Sequence, residues 1–296
     1  MESRAIRLSE LNFGVIINTS SGGCDSGSEA ELFNILEDTG IIKRKTWCGR
    51  ADQMERAFAE AAAEKLQVLI VLGGDGTIRT AAEACSRRGT YLLPLPGGTM
   101  NILPRTLYGE VSWKEALKHA LADPVTKVLS AGRVEDNQFF VAAIIGVPAL
   151  WAETRESIRE GDIVDAIKIG AVAFQEMFET KIEYSISSES KGKAEVIAVI
   201  CPLISKQMSE SEQAFEAAVI NLENAAGLIR LATAAAFGKW RAGQNIILNK
   251  TKRVTVQSSK DIPIFLDGER VKVGKKAEIS FIPKAVNVIV PAETIS

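Results

Sequence analysis

The sequence predicts an α/β first domain on a parallel sheet, then a second, mostly antiparallel β-rich domain. Three observations carry this. Up to Asp123, apolar runs of strand length alternate with stretches of helical period. Beyond Pro124, short strand-like segments follow one another, separated by Lys, Gly and Ser. The strands of the first part also end in small polar or glycine-rich loops. These features divide the chain into residues 1–125 and 126–286, with a short tail beyond.

The first strand is "FGVIINT", residues 13–19, and "SEAELFNILEDTG" after it reads as a helix stopped at Gly40. "IIKRKTWC" gives a second strand whose end falls near Thr46, and "ADQMERAFAEAAAEK" a second helix. The third strand, "LQVLIVLG", halts at Gly73-Gly74-Asp75-Gly76-Thr77 before a small-residue helix starting near Thr77. "YLLPLP" is the fourth strand, and "WKEALKHALAD" a later amphipathic helix. Uninterrupted apolar runs such as "VLIVL" suit strands covered on both faces, as right-handed βαβ units require. Ligands of such sheets sit at the carboxyl ends of the strands.

In the second part, "KVLSAGRVEDNQFFVAAIIGV" reads as strands around a Glu135-Asp136-Asn137 turn. A helical region covers about 150–180. "KIEYSIS", "AEVIAVIC", "QNIILN", "RVTVQS", "IPIFLDGERV", "AEISFIP" and "AVNVIVP" supply the strands. The passage "SEQAFEAAVINLENAAGLIRLATAAAFGKW" suits two assignments: one long helix on propensity, or a strand reaching Leu222 and then a helix.

Bulk properties exclude several classes. The 296 residues carry a net charge of −2, so no nucleic-acid partner is expected. The opening "MESRAIRLSELNFG" lacks the apolar core of a secretory signal, and no apolar run is long enough to span a bilayer. A cytoplasmic protein, free to touch the inner membrane surface, is expected. The four cysteines lie far apart with no CxxC pair, which gives neither a disulfide framework nor a zinc site. His119, the single histidine, sits on an amphipathic helix with no nucleophile elbow to serve.

The chemistry gathers at the glycine loops. Gly73, Gly74 and Gly76 bare the main chain, and the following helix adds its free N–H groups and positive end. Such a place suits phosphate oxygens. The carboxylate of Asp75 would repel them unless a Mg²⁺ ion lay between, or unless Asp75 accepts a hydrogen bond from a reacting hydroxyl. A tight turn with Asp75 as a helix cap is the plainer alternative for the pentapeptide alone. "PLPGGTMN" after the next strand adds Gly97, Gly98, Thr99 and Asn101, and "NTSSGG" after the first adds Asn18, Ser21 and Gly22. No P-loop and no GxGxxG after the first strand are present.

The residues "INTSSGG" (17–23), "GGDGT" (73–77), "PLPGGTMN" (94–101) and "FLDGE" (265–269) resemble, in order and spacing, the diacylglycerol kinase catalytic-domain family. That family includes bacterial lipid kinases and sphingosine kinases and is more distantly related to NAD kinases. The resemblance implies two domains, with ATP-Mg²⁺ and a lipid headgroup meeting in the cleft between them, and a final segment, 287–296, rejoining the first domain. It implies that Gly73, Gly74, Gly76, Thr77, Thr46, Gly98 and Thr99 line the ATP site, Asn18, Ser21, Gly22 and Asn101 standing alongside. Asp75 would act near Mg²⁺ and the phosphates, and Asp267 and Glu269 from the second domain, Glu269 as base for the lipid hydroxyl. Without the resemblance, "DGE" reads as a hairpin turn. The expected activity is ATP-dependent phosphorylation of a diacylglycerol-like or sphingoid-like lipid; the alternatives are a kinase of a soluble alcohol such as NAD and a nucleotide-binding regulator without turnover.

Two departures from the family pattern stand out. Ile78 is followed by Arg79-Thr80 where many members carry Asn-Glu, and "SESEQAFEAAV" stands where many bacterial members hold a structural Mg²⁺ with Asp-Gly-Leu. Glu210 or Glu212 is the available substitute there. For the membrane, "NKTKR" (249–253) and "RVKVGKK" (270–276) gather positive charge, which also serves as ordinary edge-strand protection. "AVAFQEMF" (171–178) reads as core or as a lip for an acyl chain.

Overall fold

The computed structural model describes residues 4–5, 8–42, 44–146, 181–188, 190–205, 208–209, 212–221 and 246–292. The helical region expected at 150–180, the segment 171–178 and Glu210 lie outside the described residues. The chain packs as two compact units. The first comprises Met1–Ala131, Gln138–Val141 and Ile282–Ser296; the second comprises Gly132–Asn137 and Ala142–Phe281.

In chain order the first unit begins with β1 (Arg4–Ala5), β2 (Phe13–Asn18), α1 (Ser28–Asp38), β3 (Arg44–Gly49) and α2 (Met54–Ala63). It continues with β4 (Val68–Gly73), α3 (Asp75–Arg88), β5 (Tyr91–Pro96), α4 (Ile102–Tyr108) and α5 (Trp113–Ala122). Strands β3, β2, β4 and β5 lie side by side in that order, all parallel. All six residues of β2 and all six of β4 are buried, which is why both read as unbroken apolar runs. Helix α3 stops at Gly89, whose φ of +71° suits a left-handed C-cap. A reciprocal capping box between Ser112 and Glu115 starts α5. His119 is exposed on that helix.

Register decides where the loops meet. Asn18 lies opposite Gly49, Ile17 opposite Leu72, and Gly73 opposite Pro96, so the carboxyl ends of β3, β2, β4 and β5 are level. Thr46 does not share that edge. It pairs with Val15, three residues before the strand's end at Gly49, roughly 10 Å back along the strand. The expectation that Thr46 ends the second strand is corrected: β3 runs on through Trp47 and Cys48.

The remaining strands are β6 (Pro124–Val134), β7 (Asn137–Phe139), β8 (Ala142–Ile145), β9 (Ile182–Ser185), β10 (Lys191–Ala194) and β11 (Val196–Ile200). After them come β12 (Phe215–Ile220), β13 (Ile246–Thr251), β14 (Arg253–Gln257), β15 (Pro263–Leu266), β16 (Glu269–Lys272) and β17 (Lys276–Pro291). Six of them form a sheet ordered β13-β12-β11-β8-β15-β16, antiparallel throughout. Strand β12 resolves the ambiguous passage: residues 215–220 form a fully buried strand, and the single-helix assignment is overturned. Its neighbours β11 and β13 pair with both its edges, and those ladders outweigh the helix propensity of Glu216, Ala217 and Ala218.

Strand β17 pairs with β14 through Lys276–Ser280, and its Val288 lies beside Leu92 of β5. In the first unit the fully buried Tyr108 donates its hydroxyl to the carbonyl of Ile289 at 3.1 Å, tying α4 to this last strand. No helix among the described residues is long and apolar enough to cross a membrane.

Candidate active site

Three loops leave the level edge of the sheet and are joined backbone to backbone. The N–H of Gly97 donates to the carbonyl of Gly73 at 2.9 Å, and that of Gly23 to the carbonyl of Gly97 at 2.8 Å. Glycine is required at this junction. A Cβ on Gly97 would stand 2.8 Å from the nitrogen of Gly73, and one on Gly98 would stand 2.6 Å from the Cα of Gly74. The glycines thus permit close approach of one loop to another as well as of a ligand.

Side chains complete the junction. Asn18, buried at the end of β2, donates Nδ2–H to Thr77 Oγ1 at 2.9 Å and accepts from the N–H of Ser20 at 3.1 Å. Ser21 Oγ accepts from the N–H of Gly74 at 2.9 Å. Asn101, at φ +51°, folds its amide back onto Gly98: its Oδ1 accepts from the Gly98 N–H and its Nδ2–H donates to the Gly98 carbonyl, both at 2.7 Å. Two glycine N–H groups expected to face a ligand are therefore already engaged. Free donors remain at the first turn of α3, where Asp75, Gly76 and Thr77 have no intrahelical acceptor. Gly22 and Thr99 are exposed at the rim, and a Cβ on Gly22 would meet only Thr99 Oγ1, at 4.0 Å.

Asp75 has two tasks in one geometry. It opens α3, and its carboxylate caps α4: Oδ1 accepts from the N–H of Ile102 at 2.6 Å, and Oδ2 from the N–H of Asn101 at 3.0 Å. Asp75 is a helix cap, as the plainer alternative has it, but the helix it caps begins 27 residues later. Each oxygen keeps a second lone pair.

The second unit carries "DGE" as a hairpin turn. Asp267 and Gly268, with φ of +49° and +88°, link β15 to β16 with Leu266 opposite Glu269, the two-residue geometry that Asp-Gly favours. Asp267 is buried, its Oδ1 accepting from the N–H of Ala142 at 2.9 Å while its own N–H donates to the Ala142 carbonyl at 2.9 Å. Glu269 is exposed at the start of β16.

Gly49 and Cys24 complete the picture, with the charged residues of the second unit. Gly49 stands where Thr46 was expected, its carbonyl accepting from the N–H of Thr19 at 2.9 Å; the break in "CGRAD" was the signal for it. Cys24 borders the first loop, and burial, then the nearby Asp25 and Cys48, push its thiol up to about 11. In the second unit Glu212 is held by Lys250 at 2.7 Å, which keeps its carboxyl below the usual range. The residue offered for a structural metal is therefore engaged by an ammonium group. Arg253 of the basic stretch pairs with Glu278 at 3.3 Å.

Comparison with known proteins follows the same lines. Residues 12–133 match the diacylglycerol kinase catalytic domain. A diacylglycerol kinase of Bacillus subtilis is 26% identical over 263 residues, covering 81% of this chain and 83% of its own. A crystal structure of a diacylglycerol kinase from Bacillus anthracis superposes with a TM-score of 0.66 at 16% identity, covering 96% of this chain and 98% of the other. The last likeness establishes the fold: an α/β unit with a parallel sheet and an antiparallel β-rich unit.

Proposed function

Because residues 12–133 match the diacylglycerol kinase catalytic domain, we propose that this chain is an ATP-dependent lipid kinase. It transfers the γ-phosphoryl group to a hydroxyl of a diacylglycerol-like or sphingoid-like lipid. The observation that supports this best is the junction of the three loops at one sheet edge, facing the N-terminus of α3. Phosphoryl transfer needs mainly positioning and neutralisation of phosphate oxygens, and a rigid rim with free N–H groups supplies both.

The residues take distinct roles. Asn18 and Ser21 hold the loops in register, so that the first-turn N–H groups of α3 and the hydroxyls of Thr77 and Thr99 present donors to the polyphosphate. Among the described residues no group of three or more His, Cys, Asp or Glu could enclose a metal ion. A Mg²⁺ ion carried with the nucleotide would be bound chiefly by phosphate oxygens and water, with a carboxylate from the protein. Asp75 would be that carboxylate, through the lone pairs its capping bonds leave free. Mg²⁺, when bound, neutralises charge on the phosphates. Glu269 is the base for the lipid hydroxyl, and it accepts the proton late. Asp267 shapes the turn that presents Glu269.

The test offers purified protein labelled ATP and Mg²⁺ with mixed micelles of candidate lipids, then with NAD, beside a Glu269→Gln control. Label in the lipid fraction that disappears with the control supports the proposal. Label only in NAD rejects the lipid as substrate. Nucleotide binding without any transfer marks a regulator.

A further inference from the structure

Arg79 stands on α3 four residues after Asp75 and four before Glu83, so the three side chains leave one face of the helix. Its side chain is only 16% exposed, and its Nη1 lies 3.5 Å from Glu83 Oε1. That contact attracts charge without forming a hydrogen bond: Nε and Nη1 both lack a hydrogen-bond partner. Glu83 directs the same oxygen to the N–H of Gln138 at 2.8 Å. Gln138 is itself only 5% exposed, and its side-chain Oε1 also has no partner. Buried donors are ordinarily satisfied, and a buried guanidinium with two idle nitrogens is costly.

The position of the idle donors suggests their acceptor. Arg79 lies one helical turn from Asp75 and Gly76 at the start of α3, a distance that an arginine side chain spans. Turned back along that face, the guanidinium would reach the place where phosphate oxygens would meet the end of α3, and it matches their geometry better than an ammonium would. Glu83 holds it by charge alone, without directional hydrogen bonds to break.

We infer that Arg79 is a phosphate-binding residue, its Nε–H and Nη1–H turning from the loose Glu83 contact onto the polyphosphate of a bound nucleotide. The inference rests on the function proposed above and adds to it a cationic donor. Glu83 is the positioning partner that neutralises the guanidinium while the site is empty.

Calorimetric titration of the full chain with Mg·ATP, Mg·ADP and adenosine tests this. Arg79→Gln is expected to weaken ATP binding about tenfold while leaving adenosine within about twofold, the loss of one charge-assisted phosphate contact. Glu83→Gln removes the competing carboxylate and is expected to leave ATP affinity equal or higher. A purely structural ion pair would instead lower the melting temperature in both variants and shift ATP and adenosine alike, or neither. That result overturns the assignment. If Arg79→Gln does not fold, Arg79→Lys retains the charge without the fork; a loss of about threefold on ATP alone supports the inference, and equal affinities or equal losses overturn it. Wild-type protein that binds ATP, beside an Arg79→Gln variant that binds it equally well, refutes Arg79 alone. Wild-type protein that binds no nucleotide refutes the kinase reading as well.

Discussion

The main-chain N–H of Ile102 donates to Oδ1 of Asp75 at 2.6 Å, while Oδ2 takes the neighbouring N–H of Asn101 at 3.0 Å. One carboxylate therefore fastens the loop after β5 to the loop after β4. An asparagine at 75 keeps one acceptor and turns an NH₂ group toward an N–H, leaving a donor without a partner. Asp75→Asn is expected to lower unfolding free energy by about 1–3 kcal/mol, measured as a lower urea midpoint. Its loss of phosphoryl transfer would then mix structural and chemical effects, which is why Glu269→Gln is the better control. An unchanged midpoint would show that the amide tolerates both N–H groups.

The loop junction can be probed with a pair of glycines. A methyl at Gly98 meets the Cα of Gly74 at 2.6 Å, main chain against main chain, with no flexible side chain to yield. Gly98→Ala is expected to cost about 1–3 kcal/mol and to abolish nucleotide binding, because the loops must part. Gly22→Ala, whose added methyl meets only Thr99 Oγ1 at 4.0 Å, is expected to stay within about 0.5 kcal/mol of the parent. Similar denaturation midpoints for the two variants would contradict the packing account.

Much of this was legible in the chain because its signals are local. Buried strands such as β4 announce themselves by composition, and the helices between them by period. The glycine loops were legible for the same reason. What stayed hidden depends on register between distant segments. Nothing near Ser21 shows that its hydroxyl serves Gly74, 53 residues away, or that Asp75 caps a helix at Ile102. Thr46 was misplaced because a strand's end is set by its neighbour: β3 continues as far as β2 offers partners, to Gly49 opposite Asn18. Likewise 215–220 carries helix-favouring residues but lies between two strands that need a third.

The thiols give a pH signature. Burial pushes Cys85 from its ordinary 9.0 up to about 12, and burial, then Asp267, pushes Cys201 well above 9.0. The folded chain keeps these protons at pH values where the unfolded chain releases them. Stability is therefore unaffected by them below about pH 9 and falls as pH rises from there toward 12. Urea midpoints at pH 7, 8, 9 and 10 should be level up to 9 and lower at 10; a midpoint that rises above pH 9 would contradict this. In native protein a thiol reagent is expected to modify exposed Cys48 and to reach Cys85 and Cys201 only on unfolding.

Asp267 and Glu269 are two residues apart, yet the hairpin gives them opposite surroundings. Asp267 is 6% exposed, has a φ of +49°, and bridges to both main-chain groups of Ala142 through its carboxylate and its own N–H. Glu269 is exposed at the head of β16. Asp267→Ala removes the acceptor for the Ala142 N–H and puts an alanine in the left-handed region, so about 2–4 kcal/mol of stability should be lost. Any drop in transfer should follow the unfolded fraction. Glu269→Gln should leave the urea midpoint within about 0.5 kcal/mol of the parent and slow transfer by about 10²–10⁴ at saturating nucleotide. Parallel measurement of midpoint and rate on both variants separates the two carboxylates. If Glu269→Gln keeps full activity, the base for the lipid hydroxyl lies elsewhere, while the structural role of Asp267 in the turn stands on its own denaturation curve.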